Sequence, residues 1–507
     1  MQLRSLPIQN RPIIMKNKFF SQSIFVLFLL LQVLQLPVFA QKIKYPTDTK
    51  NRIKQVENNL RLWVQVENTK RNYSLQERMA FYHVNGLSIA VIKDYKVEWA
   101  KGYGWADSAE QKPVTTATLF QAASISKSLN GVGVLKLVQE GKLNLSADIN
   151  DYLKSWKFPY DSVSKGKKIS IANLLSHTAG LSIHGFPGYE KGVPLPTGPQ
   201  ILDGVSPANT KSVRSAFEPG LKYQYSGGGT TISQTIVEDI TGKPYADYMW
   251  DNVLKPLGMN GSTYAYLTGN SQETLRATAY LNNGKAINGN YHLYPEQAAA
   301  ALWTNPNDLA KYIIETQLAL QGKSNKVLSQ EMTKLRLTPF VDSLAALGVF
   351  INKKGSKSFF QHGGANAGFR SQYFGSMEDG YGIVVMVNSD NGAILSEIIN
   401  SVAAVYNWEG FYVPKVCKTV EVNSAILNKY IGEYNINNVT ISILMENGNL
   451  VLKQGEQRMN MYFTSDTDFF IIEVPNSEFS IVKNTANEVE ALHQKRGGNV
   501  TKLIKVL

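Results

Sequence analysis

A serine and a lysine three residues apart share one face of a helix and can exchange a proton, whereas on a strand the same spacing sends them to opposite faces. This spacing begins at Ser124, Ser162, Ser164 and Ser480. Ser162 and Ser164 stand in a charged, glycine-containing loop sequence, and Ser480 lies in the strand-like run Phe479-Ser480-Ile481-Val482-Lys483. Only Ser124 and Lys127 open a long apolar helical pattern, where the helix N-terminus also favours negative charge developing at the serine. A hydroxyl and an amine so placed could pass a proton between them. Other chemistries lack their residues. His177 and His184 stand in a glycine-rich loop without H-E-x-x-H or a cysteine cluster, so no metal is expected and His177 reads as holding its loop by hydrogen bonds. A G-x-S-x-G elbow, a Walker loop and a dinucleotide fingerprint are missing too, and no cofactor is expected.

Around the serine, Phe120-Gln-Ala-Ala-Ser124-Ile-Ser-Lys127-Ser is similar to the serine β-lactamase and penicillin-binding family. Leu175-Ser-His177-Thr-Ala-Gly-Leu181, Glu218-Pro-Gly-Leu-Lys-Tyr-Gln-Tyr225-Ser226, Pro256-Leu-Gly-Met259 and Gln361-His362-Gly-Gly364 resemble that family's later landmarks in the right order. The resemblance covers about residues 50 to 410 and is closest to its class C-like esterase and D-amino-acid peptidase branches. It implies that Ser124 attacks a carbonyl to form an acyl-enzyme, that Lys127 assists, and that Tyr225 is the candidate base. A phenol is a poor base in water, so this role needs neighbouring cations to stabilise its anion. His362 matches the third motif, which carries Lys or His two residues before a glycine. By the same resemblance the backbone N–H groups of Ser124 and Ala365 form the oxyanion hole, and Gly363 and Gly364 let substrate approach their strand.

One departure bears on substrate. Where lactamases and many penicillin-binding proteins have Tyr-x-Asn, this chain has Tyr225-Ser226-Gly227, so a substrate-touching amide is missing. Gly227 is therefore expected to leave a wider, more permissive pocket, suited to esters or to peptides containing D-amino acids. A β-lactamase is the alternative, and a penicillin-binding sensor that is acylated once without turnover is the other.

The elements that must position these groups are partly legible. Ile53, Val56, Leu60 and Trp63 recur at helical spacing and predict a helix over 50–66, and Leu87 to Ile92 with Val97 to Tyr103 predict a hairpin. Leu129, Val132, Leu135 and Val138 form an apolar stripe on a helix over 124–140 that Gly141 ends. Thr230 or Thr231 is expected to cap a helix carrying Ile232, Ile236, Val237 and Ile240. Strands are expected at 347–351, 358–361, 369–375 and 382–387, then a helix over 394–406. Beyond Pro414 short alternating segments predict a separate β module, whose start at Leu427-Asn-Lys-Tyr430-Ile-Gly432-Glu-Tyr434 resembles the lipocalin-like barrels often appended to these hydrolases.

Composition fits a globular chain: of 507 residues, 43% are hydrophobic and 18% charged, too apolar for disorder. Residues 1 to 40 read as an export signal, with Lys16 and Lys18 leading into the apolar run Ile24 to Leu31 and Val38-Phe39-Ala40 offering a cleavage site. Its removal lowers the formal net charge from +12 to +8, and the excess is too scattered for a nucleic-acid partner. The single cysteine, Cys417, excludes an intramolecular disulfide. The expectation is a secreted or periplasmic α/β (α+β) hydrolase acting on a small molecule or peptide, without a stable membrane anchor after cleavage. Its fold is an antiparallel sheet flanked by helices with a helical subdomain over 41–415, then a β-rich accessory domain over 416–507.

Overall fold

The strand-forming runs assemble into a central antiparallel sheet. Its members are β1 (Gly86–Lys93), β2 (Lys96–Asp107), β3 (Lys112–Pro113), β4 (Phe350–Lys354), β5 (Lys357–Asn366), β6 (Phe369–Ser376) and β7 (Gly382–Val387), in the order β3-β2-β1-β7-β6-β5-β4. β1 and β7 lie at the centre because Leu87 to Ile92 and Ile383 to Val387 can be buried on both faces, and they are. This computed structural model describes residues 44–69, 71–266, 272–436 and 439–506; the expected export signal lies outside them.

Six helices matter most here: α1 (Thr47–Glu57), α2 (Leu75–Phe81), α3 (Ser126–Gln139), α4 (Gly227–Thr241), α5 (Pro306–Leu320) and α6 (Ala393–Val405). α5 and α6 pack against the sheet, α3 lies between the sheet and the helices of the 126–259 region, and one apolar core runs through both. α3 is well buried, as expected, and its burial extends beyond the apolar stripe to every side from Ser126 to Leu135. Its polar side chains are therefore paired internally. Ser126 Oγ accepts the Leu302 N–H at 3.0 Å, Ser128 Oγ accepts the Tyr373 hydroxyl at 2.9 Å, and Asn130 donates to Ser233 Oγ at 2.9 Å.

Two expected boundaries move. α1 stops at Glu57 because Leu62 and Val64 pack on Phe470 and Ile472, and Val64–Val66 is a strand paired in parallel with Lys415–Cys417. That long-range pairing overrides the helical period of Leu60 and Trp63. α4 begins at Gly227, capped by Ser226, whose Oγ accepts the Gly229 N–H at 3.0 Å. Thr230 and Thr231 instead bond back to the Ser226 and Gly227 carbonyls, as hydroxyls inside a first turn do.

Beyond Lys415–Cys417, nine strands from Gly432–Ile436 to Asn499–Lys505 form a nearly closed barrel-like antiparallel sheet. The first pairs with the last, and the remaining gap falls between Gln457–Asn460 and Tyr462–Phe463. Tyr430, Tyr434, Phe463, Phe469, Phe479 and Leu492 fill its interior. The barrel meets α2 at Phe81, which packs against the barrel's apolar cluster, and at the Arg78 guanidinium. Arg78 donates to both oxygens of Glu397 on α6 at 2.7 and 2.6 Å and lies 3.7 Å from Glu473 of the barrel, between the rings of Tyr73, Phe81 and Tyr82.

Removing that guanidinium leaves two buried carboxylates without a partner charge. Arg78→Leu is expected to lower the unfolding free energy by about 3 to 5 kcal/mol in urea titrations. The loss should grow from pH 5 to pH 8, because unpaired buried carboxyls titrate above their unfolded values and cost more as pH rises. Adding Glu397→Gln and Glu473→Gln should recover much of it, and an Arg78→Leu variant as stable as the parent would refute this role.

Candidate active site

The nucleophile position is built by a strained turn. Phe120–Gln121 pairs with Trp303–Thr304 and leads into Ala123, which adopts φ +51°, a left-handed conformation that L residues avoid. The turn Ala123–Ile125 runs directly into α3, so Ser124 sits partly exposed at its first turn while Lys127 is buried beneath it. Lys127 Nζ donates to Ser124 Oγ at 3.2 Å and to the Ala299 carbonyl at 2.8 Å. The segment carrying Ala299 is fixed in turn by α4, where Gln234 Oε1 accepts the Ala298 N–H at 2.9 Å.

Burial sets the protonation states. Lys127 is removed from water with no carboxylate beside it among the described residues, and this desolvation pulls its amine down to about 7. Tyr225 is buried as well; desolvation pushes its phenol up, the Ser124 hydroxyl is its hydrogen-bond partner, and Lys127 Nζ lies 5.0 Å from its ring centroid. Desolvation therefore weighs against Tyr225, the expected base, and toward Lys127. An amine near 7 has its lone pair free in about half of the molecules at neutral pH, whereas a phenol pushed above its ordinary value holds its proton more tightly.

His362 reaches the site from β5. Its Nδ1 lies 2.6 Å from the Gly363 carbonyl, and a carbonyl only accepts, so Nδ1 carries the proton. Nε2 is then a bare acceptor, buried and without a partner among the described residues. Desolvation, with the Lys127 charge second, pulls the imidazole down to about 3 and keeps it neutral. The two glycines that follow differ. A Cβ at Gly364 would collide with the Ala122 carbonyl oxygen and Ser371 Oγ, and Ser371 Oγ donates to that same carbonyl at 3.0 Å. At Gly363 a Cβ would meet mainly the flexible end of Gln372. Gly364 therefore lets β5 press against the nucleophile turn. The N–H groups of Ser124 and Ala365, expected to form an oxyanion hole, belong to the two segments meeting there.

Gly227 does not open the pocket. A Cβ there would lie 3.0 Å from the Phe186 ring and 3.1 Å from the His184 carbonyl, and the Gly227 and Gly228 N–H groups donate to the carbonyls of His184 and Ile183 at 3.0 and 3.1 Å. The space expected to be vacant is taken by residues 183–186, strapped to the start of α4. Rings surround Tyr225: His177 at 4.2 Å, His184 at 4.8 Å, His362 at 6.3 Å and Phe350 at 6.5 Å between centroids. His177 Nδ1 also accepts the Ser226 N–H at 3.2 Å, so it fixes the tyrosine segment as well as its own loop. His177 stood in a legible motif, but its contact with Tyr225 was not read there, and Phe350 carried no signal at all.

Known proteins agree with this architecture. Residues 74–402 match the family model described as Beta-lactamase. Protein flp of Staphylococcus aureus (strain N315) is 26% identical over 378 residues, covering 72% of this chain and 70% of that protein. Among solved structures, the octameric penicillin-binding protein homologue of Pyrococcus abyssi matches with a TM-score of 0.57 at 20% identity, over 85% of this chain and 97% of that one. The D-amino acid amidase of Ochrobactrum anthropi SV3 complexed with D-phenylalanine matches with a TM-score of 0.55 at 20% identity, over 72% and 100% respectively.

If Lys127 is the base, kcat/KM for p-nitrophenyl acetate should rise about tenfold per unit below a pH of about 7 and level off above it. Lys127→Ala should remove this limb and lower kcat/KM by about a hundredfold or more. A profile without a limb near pH 7, together with activity kept in Lys127→Ala, would return the role to Tyr225.

Proposed function

This chain belongs to the Beta-lactamase family, and from that premise we propose that it hydrolyses esters or D-amino-acid-containing peptides and amides through an acyl-enzyme on Ser124. It is a serine hydrolase of the β-lactamase and penicillin-binding superfamily; the substrate and the covalent intermediate are our reading. Ser124 Oγ attacks the carbonyl carbon as its proton passes to neutral Lys127. The oxygen of the resulting adduct takes the negative charge, opposite the N–H groups of Ser124 and Ala365. As the carbonyl reforms, the bond to the leaving oxygen or nitrogen breaks, and Lys127 returns the proton to it through the Tyr225 hydroxyl. Water, losing its proton along the same route, then cleaves the ester on Ser124 and restores the serine.

The observation that carries the substrate side is the neutral His362. Where a cation would hold a substrate carboxylate, this site offers a bare Nε2 acceptor, which favours a substrate donor such as an amide N–H, an amine or a hydroxyl. The occupied space at Gly227 points the same way, since it leaves no room for an added amide. The fold shared with a D-amino acid amidase supports the D-amino-acid arm. The basic and apolar residues before Gln41 support a secreted or periplasmic setting.

A fluorophosphonate probe is expected to modify Ser124, with labelling and ester turnover both lost in Ser124→Ala. kcat/KM should be higher for p-nitrophenyl acetate and D-phenylalanine amide than for a chromogenic cephalosporin. His362→Lys should raise the cephalosporin-to-ester ratio by about tenfold to a hundredfold, the worth of one charge-assisted hydrogen bond of about 1.5 to 3 kcal/mol. Gly227→Asn should act only when Phe186→Ala makes space. Faster cephalosporin turnover by the parent, or acylation that stops at one equivalent, would sink the proposal.

A further inference from the structure

Single exposed apolar side chains are ordinary on a protein surface. Here several occur at Leu221 and Tyr223 and on the 340–344 loop. Leu221 is 58% exposed, Val341 54% and Leu344 51%, and Phe340 and Tyr223 are also exposed. Tyr223 joins them to the site. Its ring lies 6.1 Å from Phe350, and Phe350 lies 5.3 Å from His362 and 6.5 Å from Tyr225. The 340–344 loop continues into Ala345, which bridges to Phe350, so the loop and the Tyr223 ring both adjoin Phe350, and the Asp342 carboxylate adds to the larger effects of burial and of Tyr225 that push the Tyr223 phenol up.

The loop is held rather than loose. Asp342 Oδ1 accepts the Leu344 and Ala345 N–H groups at 2.8 and 3.0 Å, Phe340 N–H donates to the Ala345 carbonyl at 2.9 Å, and Ile351 N–H donates to the Leu344 carbonyl at 2.8 Å. Val341 at its tip has φ +66°, a region that a β-branched residue occupies only under strain. The fold thus holds an apolar side chain in water, at a backbone conformation better suited to asparagine or glycine, beside the rings leading to Ser124.

We propose that Leu221, Tyr223, Val341 and Leu344 form a lip that binds an apolar substituent of the substrate, which makes this chain a hydrolase for esters or amides bearing a medium-length aliphatic or an aromatic group. This rests on the hydrolase reading above. The substituent is assigned the row of rings that runs from His362 through Phe350 to Tyr223. The space beside Gly227, at the start of α4, is already occupied.

The test is the chain-length dependence of kcat/KM, for p-nitrophenyl acetate, butyrate and octanoate with the leaving group fixed, and for ethyl and octyl acetate with the acyl group fixed. Full burial of a methylene is worth up to about fourfold, so a lip open on one side should give about a tenfold gain across one of the two series. Val341→Asn with Leu344→Ser should cut that gain to about twofold or less; asparagine tolerates the φ at 341, so misfolding does not confound the result. No gain in either series, or an unchanged gain in the double variant, overturns the proposal. So does a lip that instead binds phosphatidylcholine vesicles in cosedimentation, with vesicle binding lost and the gain kept in the variant. Fluorophosphonate labelling of Ser124 and p-nitrophenyl acetate turnover report on the hydrolase reading alone, so the two ideas fail separately.

Discussion

The amine of Lys127 is taken out of water without a counter-charge, and the rest of the site is arranged around that condition. An ammonium buried in this way would keep its ordinary basicity only beside a carboxylate, and here its partners are a hydroxyl, a carbonyl and the face of a phenol ring. Glu296, three residues before Ala299, is itself fully buried with both oxygens unpartnered among the described residues, and burial pushes it up to about 8. The carboxyl nearest in sequence to the carbonyl that holds Lys127 is thus also kept mainly neutral at pH 7. Desolvation, applied to both groups, favours the free amine over the ammonium, which is the condition the proposed base requires.

Burying the lysine requires backbone segments to approach more closely than side chains allow, which explains where glycine is indispensable. Gly364 admits β5 to the carbonyl of Ala122, and Gly227 and Gly228 admit residues 183–186 to the start of α4. Each contact closes one side of the cavity over Lys127 and Tyr225. The same closure lowers the amine and His362 and raises Tyr225, one cause acting on all three. His362 and Tyr225 are thereby held neutral at pH 7 and offer no charge to a substrate anion, while the amine is poised near neutral pH.

Sequence patterns carried the sheet and the nucleophile further than they carried the pocket. β7 was legible to the residue because a strand buried on both faces is a continuous apolar run with turn residues at its ends. Ser124 and Lys127 were legible because only one of four similar spacings opens a buried helix. What failed was long-range. Leu60 and Trp63 carry a helical period that pairing with Lys415–Cys417 overrules, and the partners of Ser126, Ser128 and Asn130 in the buried helix lie far along the chain, at Leu302, Tyr373 and Ser233. Gly227 was misjudged for the same reason, since a missing side chain announces space but not who fills it. The basicity of Lys127 and Tyr225 could not be ordered from sequence, because their order depends on burial and on the absence of a neighbouring carboxylate.

The barrel enters this chemistry through an edge strand. Among the described residues its contacts run to α2, to the segment after Leu60 and to Lys415–Cys417, none of which lines the site. β4, however, spans the distance. At one end Phe350 packs near His362 and Tyr225; at the other the Lys354 ammonium lies 5.2 Å from the ring of Trp63 and 5.6 Å from that of Phe411. Trp63 immediately precedes the strand that rests on Phe470 and Ile472 of the barrel. An edge strand has a neighbour on one side only, so its position depends on what is packed along it. Lys354 on the Trp63 ring thus ties the far end of β4 to the segment on which the barrel rests, while Phe350 at the near end lies beside His362 and Tyr225. One strand therefore lies between the barrel's contacts and the site.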